Sequence, residues 1–314
     1  MFLCSFRTVD CRAVSYWISC PTSRLYCCDD YITLATSGVF PPKISAIFNF
    51  HQRMSWLLAA VAAVISFWVI SLARILSSSS CVPSDPGFLH SGFGKRRNVL
   101  LVIAHPDDES MFFTPTILFL KYGGHNIHIL CMSTGNADGV GNTRKDEIYR
   151  ACSILKVPLQ QVKVLDHPGL QDGFNETWDL GLLAKLIQNE VRVWNIDLLI
   201  SFDKFGVSGH PNHRAVHHGI CMLLSDSNQK YIEAWELVSL SIFRKYSGPV
   251  DVWLSIIFSS FYLRKQIYCL LNNNPSLSFL AMAAHRSQWI WFRKLFVGFS
   301  TYTYMNTLRK INVE

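Results

Sequence analysis

The chain has 314 residues, half of them hydrophobic and 13% aromatic, which is ample for one sizeable α/β domain with appendages and more than a core alone requires. Its net charge of +7 is unevenly spread: residues 1–243 carry 20 basic and 20 acidic side chains, residues 244–314 carry 9 and 2. The basic tail is mixed with Trp253, Phe258, Trp289, Trp291, Phe292 and Phe296, a blend suited to an anionic bilayer surface. No RNA-binding or helix-turn-helix signature accompanies it, which excludes nucleic acid as the expected partner.

Residues 1–53 form an extension without clear periodicity, and Met54 offers a second start. Five of the ten cysteines fall within the first 28 residues. Cys131, Cys152, Cys221 and Cys269, scattered singly with no CxxC spacing, read as small buried hydrophobes in a reducing compartment. Residues 54–76 are expected to be a transmembrane anchor. Within them Trp56 to Ala73 runs without a charge, enough at 1.5 Å per residue to cross a hydrocarbon layer of about 30 Å. A leader of this length is too long for a cleaved signal peptide. Arg53 precedes the span while Arg74, Lys95, Arg96 and Arg97 follow it, which places the C-terminal side in the cytosol. Residues 77–97, rich in Ser, Pro and Gly, read as a linker.

Residues 98–249 carry the pattern of an α/β domain. Apolar runs at 98–104, 127–133, 162–166 and 198–202 predict strands. Helices are expected around 116–122, from about 143, over 178–193 and after Pro211, with Thr114 as a cap and Pro115 at the first turn. The alternation predicts a Rossmann-like, mostly parallel sheet flanked by helices, whose active site lies beyond the carboxyl ends of its strands. Residues 250–314 are expected to complete the domain close to the membrane. Their apolar stretch Val252 to Leu263 is too short to span and predicts an interfacial or re-entrant element, with a buried core helix as the alternative.

Polar residues gather at the strand ends. After the first strand stands AHPDDE, where His105 and Asp108, three apart on a turn, can offer an imidazole and a carboxylate to one cation. Acids beginning a helix are ordinary by themselves, but the histidine and proline are not part of that pattern. After the fourth strand comes GHPNH, in which one of His210 and His213 can complete a metal site while the other faces substrate. Two histidines and a carboxylate leave the fourth position of tetrahedral zinc for water, as hydrolysis requires. No G-x-G-x-x-G follows the first strand, so dinucleotide binding has no support.

AHPDDESMFF and GHPNH, with STGNADGVGNTRKDE, FDKFGVSGHPNH and HRSQWIWFRKLF, resemble the LmbE-like zinc deacetylases over about residues 98–306. Among these the likeness is to the family that acts on N-acetylglucosaminyl-phosphatidylinositol in GPI-anchor assembly. The resemblance implies that His105, Asp108 and His213 hold Zn2+ and that Asp107 is the general base. His210 then polarises the amide carbonyl or protonates the leaving amine. Glu109 supports the ligands from behind. Arg144 is a candidate for the substrate phosphate and Asp172 for sugar hydroxyls, although a salt bridge and a turn serve equally well for them. His285, Arg286 and Gln288 fall in the tail motif and stay outside the metal site. The implied setting is the endoplasmic reticulum membrane, crossed once, with the catalytic domain in the cytosol and a glycolipid as substrate. Two other functions remain open: a zinc deacetylase of a soluble amino-sugar conjugate, and a non-catalytic membrane-tethered scaffold.

Overall fold

The computed structural model describes residues 42–77, 81–82, 96–173, 176–225, 232–261 and 267–312. The chain divides into two units, Met1–Val61 and Ala62–Glu314. In the first, the described residues are helical throughout and belong to α1 (Pro42–Leu76), so residues 42–53 of the extension are helix, and the rest of that extension lies outside the described residues. Most of the expected linker also lies outside them. The segment Phe50–Leu76 is long and apolar enough to cross a membrane, with a mean hydropathy of 2.3. Its side chains are left open to the surroundings, Trp56 and Val64 each at 69%, which is a costly arrangement in water and a favourable one in hydrocarbon.

Among the described residues of the second unit the sheet has eight strands: β1 (Cys81–Val82), β2 (Asn98–Ile103), β3 (Asn126–Cys131), β4 (Val162–Val164), β5 (Leu198–Phe202), β6 (Glu233–Leu237), β7 (Ile267–Leu271) and β8 (Met305–Lys310). They lie in the order β1-β7-β8-β6-β5-β2-β3-β4. β6, β5, β2, β3 and β4 run parallel, and β8, β7 and β1 extend the sheet antiparallel. The sheet is therefore mostly parallel, as the alternation of elements predicts, with an antiparallel extension that it does not. Val99 to Ile103 and the whole of β5 are buried, the pattern of central strands covered on both faces. β2 pairs with β3 on one side and β5 on the other. The chain order reverses between them, making the gap beyond their carboxyl ends the switch point where such sheets bind ligands.

Helices cover the sheet: α2 (Asp108–Met111), α3 (Thr114–Tyr122), α4 (Gly141–Ile154), α5 (Leu180–Val193), α6 (Pro211–Ser225), α7 (Asp251–Phe261), α8 (Pro275–Ala284) and α9 (Trp291–Phe299). Thr114 does not cap α3. It is the first residue of that helix, and its hydroxyl donates to the Ser110 carbonyl at 3.1 Å. α7 buries Val252 and packs Trp253 on the second-unit part of α1, where Phe67 stacks on the indole and Ser71 Oγ accepts its N–H at 2.9 Å. Ile75, Cys269, Leu271 and Met305 complete that small core.

The tail's charges are less available than composition alone implies. Arg244 pairs with Asp251, Arg309 with Glu236, Lys310 with Glu233 and Arg293 with Asp107. What α9 offers outward is mainly apolar, Trp291 being 71% exposed, Leu295 51% and Phe299 52%, with Lys294 exposed among them.

Candidate active site

β2 delivers Ala104 to Glu109 to the carboxyl edge of the sheet, and the turn folds around Asp108. Its Oδ2 accepts the backbone N–H groups of Ala104 and His105 at 3.0 and 2.8 Å. Its Oδ1 lies 3.2 Å from His213 Nε2. Burial opposes the charge on Asp108, yet His213 and His105 beside it hold its carboxyl well below the usual carboxylate range. Asp107 sits at φ 124°, a conformation that L residues seldom adopt, and its N–H donates to Glu109 Oε2 at 3.1 Å. The other Glu109 oxygen meets His285 Nε2 at 2.6 Å with both side chains fully buried. Glu109 thus ties the strained turn to a histidine 176 residues away.

The second half is set by Asp203, at the end of β5. Its carboxylate accepts the N–H groups of Phe205, Gly206 and Ser239 and the Ser239 hydroxyl. Gly206 lies at φ +59°, and a Cβ there would stand 2.8 Å from the His213 Cβ. Gly206→Ala is expected to lower stability by about 1–3 kcal/mol, read as a lower midpoint in denaturant, and to shift His213. His213 lies flat on Phe202, rings 4.1 Å apart, with Nδ1 3.1 Å from the Gly206 carbonyl. A proton on Nδ1 satisfies that carbonyl and leaves the Nε2 lone pair to face Asp108, the tautomer a metal ligand needs.

His105 Nε2 stands 3.0 Å from Asp172 Oδ1 and 3.0 Å from Asn212 Nδ2. His210, at the entry to α6, has its ring 4.8 Å from that of His105 and 5.0 Å from that of His213. Burial, with His105 and His213 nearby, lowers its pKa to about 4. His105, His210 and His213 each place one nitrogen within 4.8 Å of the others. With bonds of about 2 Å, the ligand atoms of a tetrahedral zinc lie roughly 3.4 Å apart, close to the Asp108–His213 separation. Imidazole and carboxylate donors are also the right kind. The arrangement therefore fits a divalent metal.

These residues wall a cavity of about 580 Å³. Asp107 and Arg144 line it, and so do Gln288, Phe292 and Arg293 from the tail. Asp107 Oδ2 is buried with no hydrogen bond among the described residues, facing the guanidinium groups of Arg144 at 3.4 Å and Arg293 at 3.3 Å. Burial raises its pKa, with the two arginines opposing. Arg144 is itself buried, and its fork donates to the carbonyls of Gly135 and Pro106 at 2.8 Å each. Gly135, at φ +67°, has no room for a Cβ beside it. For this fork sequence analysis left a substrate phosphate and a salt bridge equally open; it donates to the backbone and stands beside Asp107 and Asp172. Asp172 lies against His105 and Arg144.

Arg293 and Asn212 are the residues sequence analysis missed, together with the contact that joins Glu109 to His285, two residues it named separately. The HRSQWIWFRKLF segment carried the signal for Arg293 and His285, but nothing local said that it folds back over AHPDDE. Ser287 binds the Glu147 carboxylate through its N–H at 2.8 Å and its hydroxyl at 2.6 Å, which pins that segment in place.

Residues 100–223 match the family model described as PIG-L: GlcNAc-PI de-N-acetylase. The chain is 36% identical over 252 residues to the probable N-acetylglucosaminyl-phosphatidylinositol de-N-acetylase of Schizosaccharomyces pombe, covering 79% of this chain and 99% of that one. It is 35% identical over 218 residues to the N-acetylglucosaminyl-phosphatidylinositol de-N-acetylase of Bos taurus, covering 69% and 84%. Among solved structures, the teicoplanin deacetylase Orf2 overlays with a TM-score of 0.47 at 12% identity, covering 69% and 98%. The family model and the two sequence relatives make the chain, with its α/β sheet and switch-point site, an amide hydrolase. The chain belongs to the PIG-L, GlcNAc-PI de-N-acetylase, family.

Proposed function

We propose that this chain hydrolyses the N-acetyl group of N-acetylglucosaminyl-phosphatidylinositol to give glucosaminyl-phosphatidylinositol and acetate, the second step of GPI-anchor biosynthesis. The observation that carries this reading is the Asp107, Asp108, His105, His210 and His213 cluster, walling one cavity in a chain that also holds an apolar helix of membrane-spanning length. His105, Asp108 and His213 hold Zn2+. When bound, the metal lowers the pKa of a water toward about 7 and polarises the amide carbonyl.

Asp107 takes the proton of the attacking water and later delivers it to the leaving amine. Burial raises its pKa, which strengthens it as a base, and the two guanidinium groups keep its carboxylate at the cavity wall. His210 is neutral at pH 7, its pKa being lowered to about 4. Its Nδ1 accepts the Asn212 N–H at 3.3 Å, which leaves the proton on Nε2. From there it donates to the carbonyl oxygen as negative charge develops, so polarisation of the carbonyl is its role rather than protonation of the amine. Asp172 orients His105. Residues 54–76 anchor the chain in the endoplasmic reticulum membrane, residues 98–249 are the catalytic core and residues 250–314 complete it near the bilayer.

The test is acetate release from N-acetylglucosaminyl-phosphatidylinositol by the purified full chain with Zn2+. Release from a soluble amino-sugar conjugate with none from the glycolipid would overturn the reading. Sidedness has its own test in the sequon Asn175-Glu-Thr177, whose asparagine lies outside the described residues. With a cytosolic domain, glycosidase treatment of the protein from cells is expected to leave its apparent mass unchanged, and a shift would place the domain in the lumen.

A further inference from the structure

Two arginines among the described residues line the cavity, and they are built differently. Arg144 is a fixed strut, its side chain 7% exposed and its fork tied to two carbonyls. Arg293 stands at the rim, 21% exposed. Its Nη1 holds Gln288, and its Nη2 reaches Asp107 Oδ2 only at 3.3 Å, long for a charge-assisted bond, which closes to about 2.7–2.9 Å. It is therefore anchored by Gln288 on one side and only distantly by Asp107 on the other, at the opening of a cavity whose other charged lining includes Arg144 and four carboxylates, Asp107, Asp108, Asp138 and Asp172. Beside it Phe292 lines the same opening and is 49% exposed. Trp291 and Leu295 of the same helix point their apolar surface outward.

A glycolipid whose sugar must enter while its phosphodiester stays at the mouth meets a wall of carboxylates. We propose that Arg293 is the residue that binds this phosphodiester, giving up its long contact with Asp107 as its fork closes on two phosphate oxygens. The inference rests on the substrate proposed above. A planar guanidinium suits a phosphodiester bidentately, and the exposed aromatic side chains of α9 hold it at the level where lipid phosphates lie. The exchange also couples recognition to chemistry, because the Asp107 carboxylate loses one of its two cationic neighbours only when an anionic substrate is in place.

The experiment compares wild type, R293K and R293Q on two substrates in detergent: N-acetylglucosaminyl-phosphatidylinositol, and N-acetylglucosaminyl-inositol without phosphate. The R293Q penalty in KM is expected to be about tenfold or more larger on the phosphate-bearing substrate than on the phosphate-free one, with R293K between. Glycerophosphoinositol should inhibit wild type and lose potency against R293Q. Equal penalties on both substrates would overturn the proposal and assign Arg293 to holding Asp107 alone. A penalty seen in phospholipid vesicles that vanishes in detergent would also overturn it, since bulk headgroups would then be the ligand. Failure of wild type on the glycolipid, by contrast, would strike the proposed substrate.

Discussion

Asp107→Asn is expected to lower kcat by about 10²–10⁴-fold, the range spanned by a positioned general base, while the purified protein keeps the metal content of wild type. The substitution preserves shape and removes the ability to accept a proton at neutral pH. It leaves Asp108, His105 and His213 untouched, and the Asp107 N–H still donates to Glu109. The variant also weakens the hold on Arg144 and Arg293, which now face an amide. Arg144 is secured by the carbonyls of Gly135 and Pro106, so the cavity wall survives. Acetate release and elemental analysis on the same preparation check this. Activity equal to wild type would sink the base assignment, and loss of metal together with activity would move Asp107 into the ligand set.

The parallel half of the sheet was legible because β2, β3 and β5 are near-continuous apolar runs, the pattern that burial on both faces demands. Their ends carried the polar loops, so the positions of His105 and His213 followed from strand order. The antiparallel extension was not legible. β8 reads MNTLRK and β6, the parallel strand it joins, reads EAWEL, mixed sequences whose strand character comes from pairing, β8 with β6 and β7 and β6 with β5. The tail's basic residues were read as lipid-facing from their number, but Arg309 sits opposite Glu236 on β6 and Lys310 reaches Glu233 on the same strand, a pairing that depends on register across the sheet. The same distance effect hid the Glu109–His285 contact, which joins a strand end to the end of α8 through the fold rather than through spacing. Asp107's backbone strain has no signal in the sequence. It is held by that contact and by the Asp108 carboxylate.

The metal assignment makes the second large prediction, since two ligand sets share the site. His105, Asp108 and His213 form one; the three imidazoles of His105, His210 and His213 form the other. The first is favoured by the 3.2 Å approach of Asp108 Oδ1 to His213 Nε2 and by the carboxylate's strongly favoured charge. In Asp108→Asn the amide oxygen can still accept the N–H groups of Ala104 and His105, so the turn keeps its shape while the ligand charge is lost. Metal content should fall well below one ion per chain. Activity should fall roughly a thousandfold or more, because the metal's charge stabilisation of several kcal/mol goes with it, at a factor of ten per 1.4 kcal/mol. His210→Gln should do the reverse, keeping the metal and losing about 10²–10³-fold in kcat as one oxyanion donor goes. Elemental analysis and single-turnover acetate release on the two variants decide between the sets. Metal retained in Asp108→Asn and lost in His210→Gln would make the three histidines the ligands and return Asp108 to the role of folding the turn.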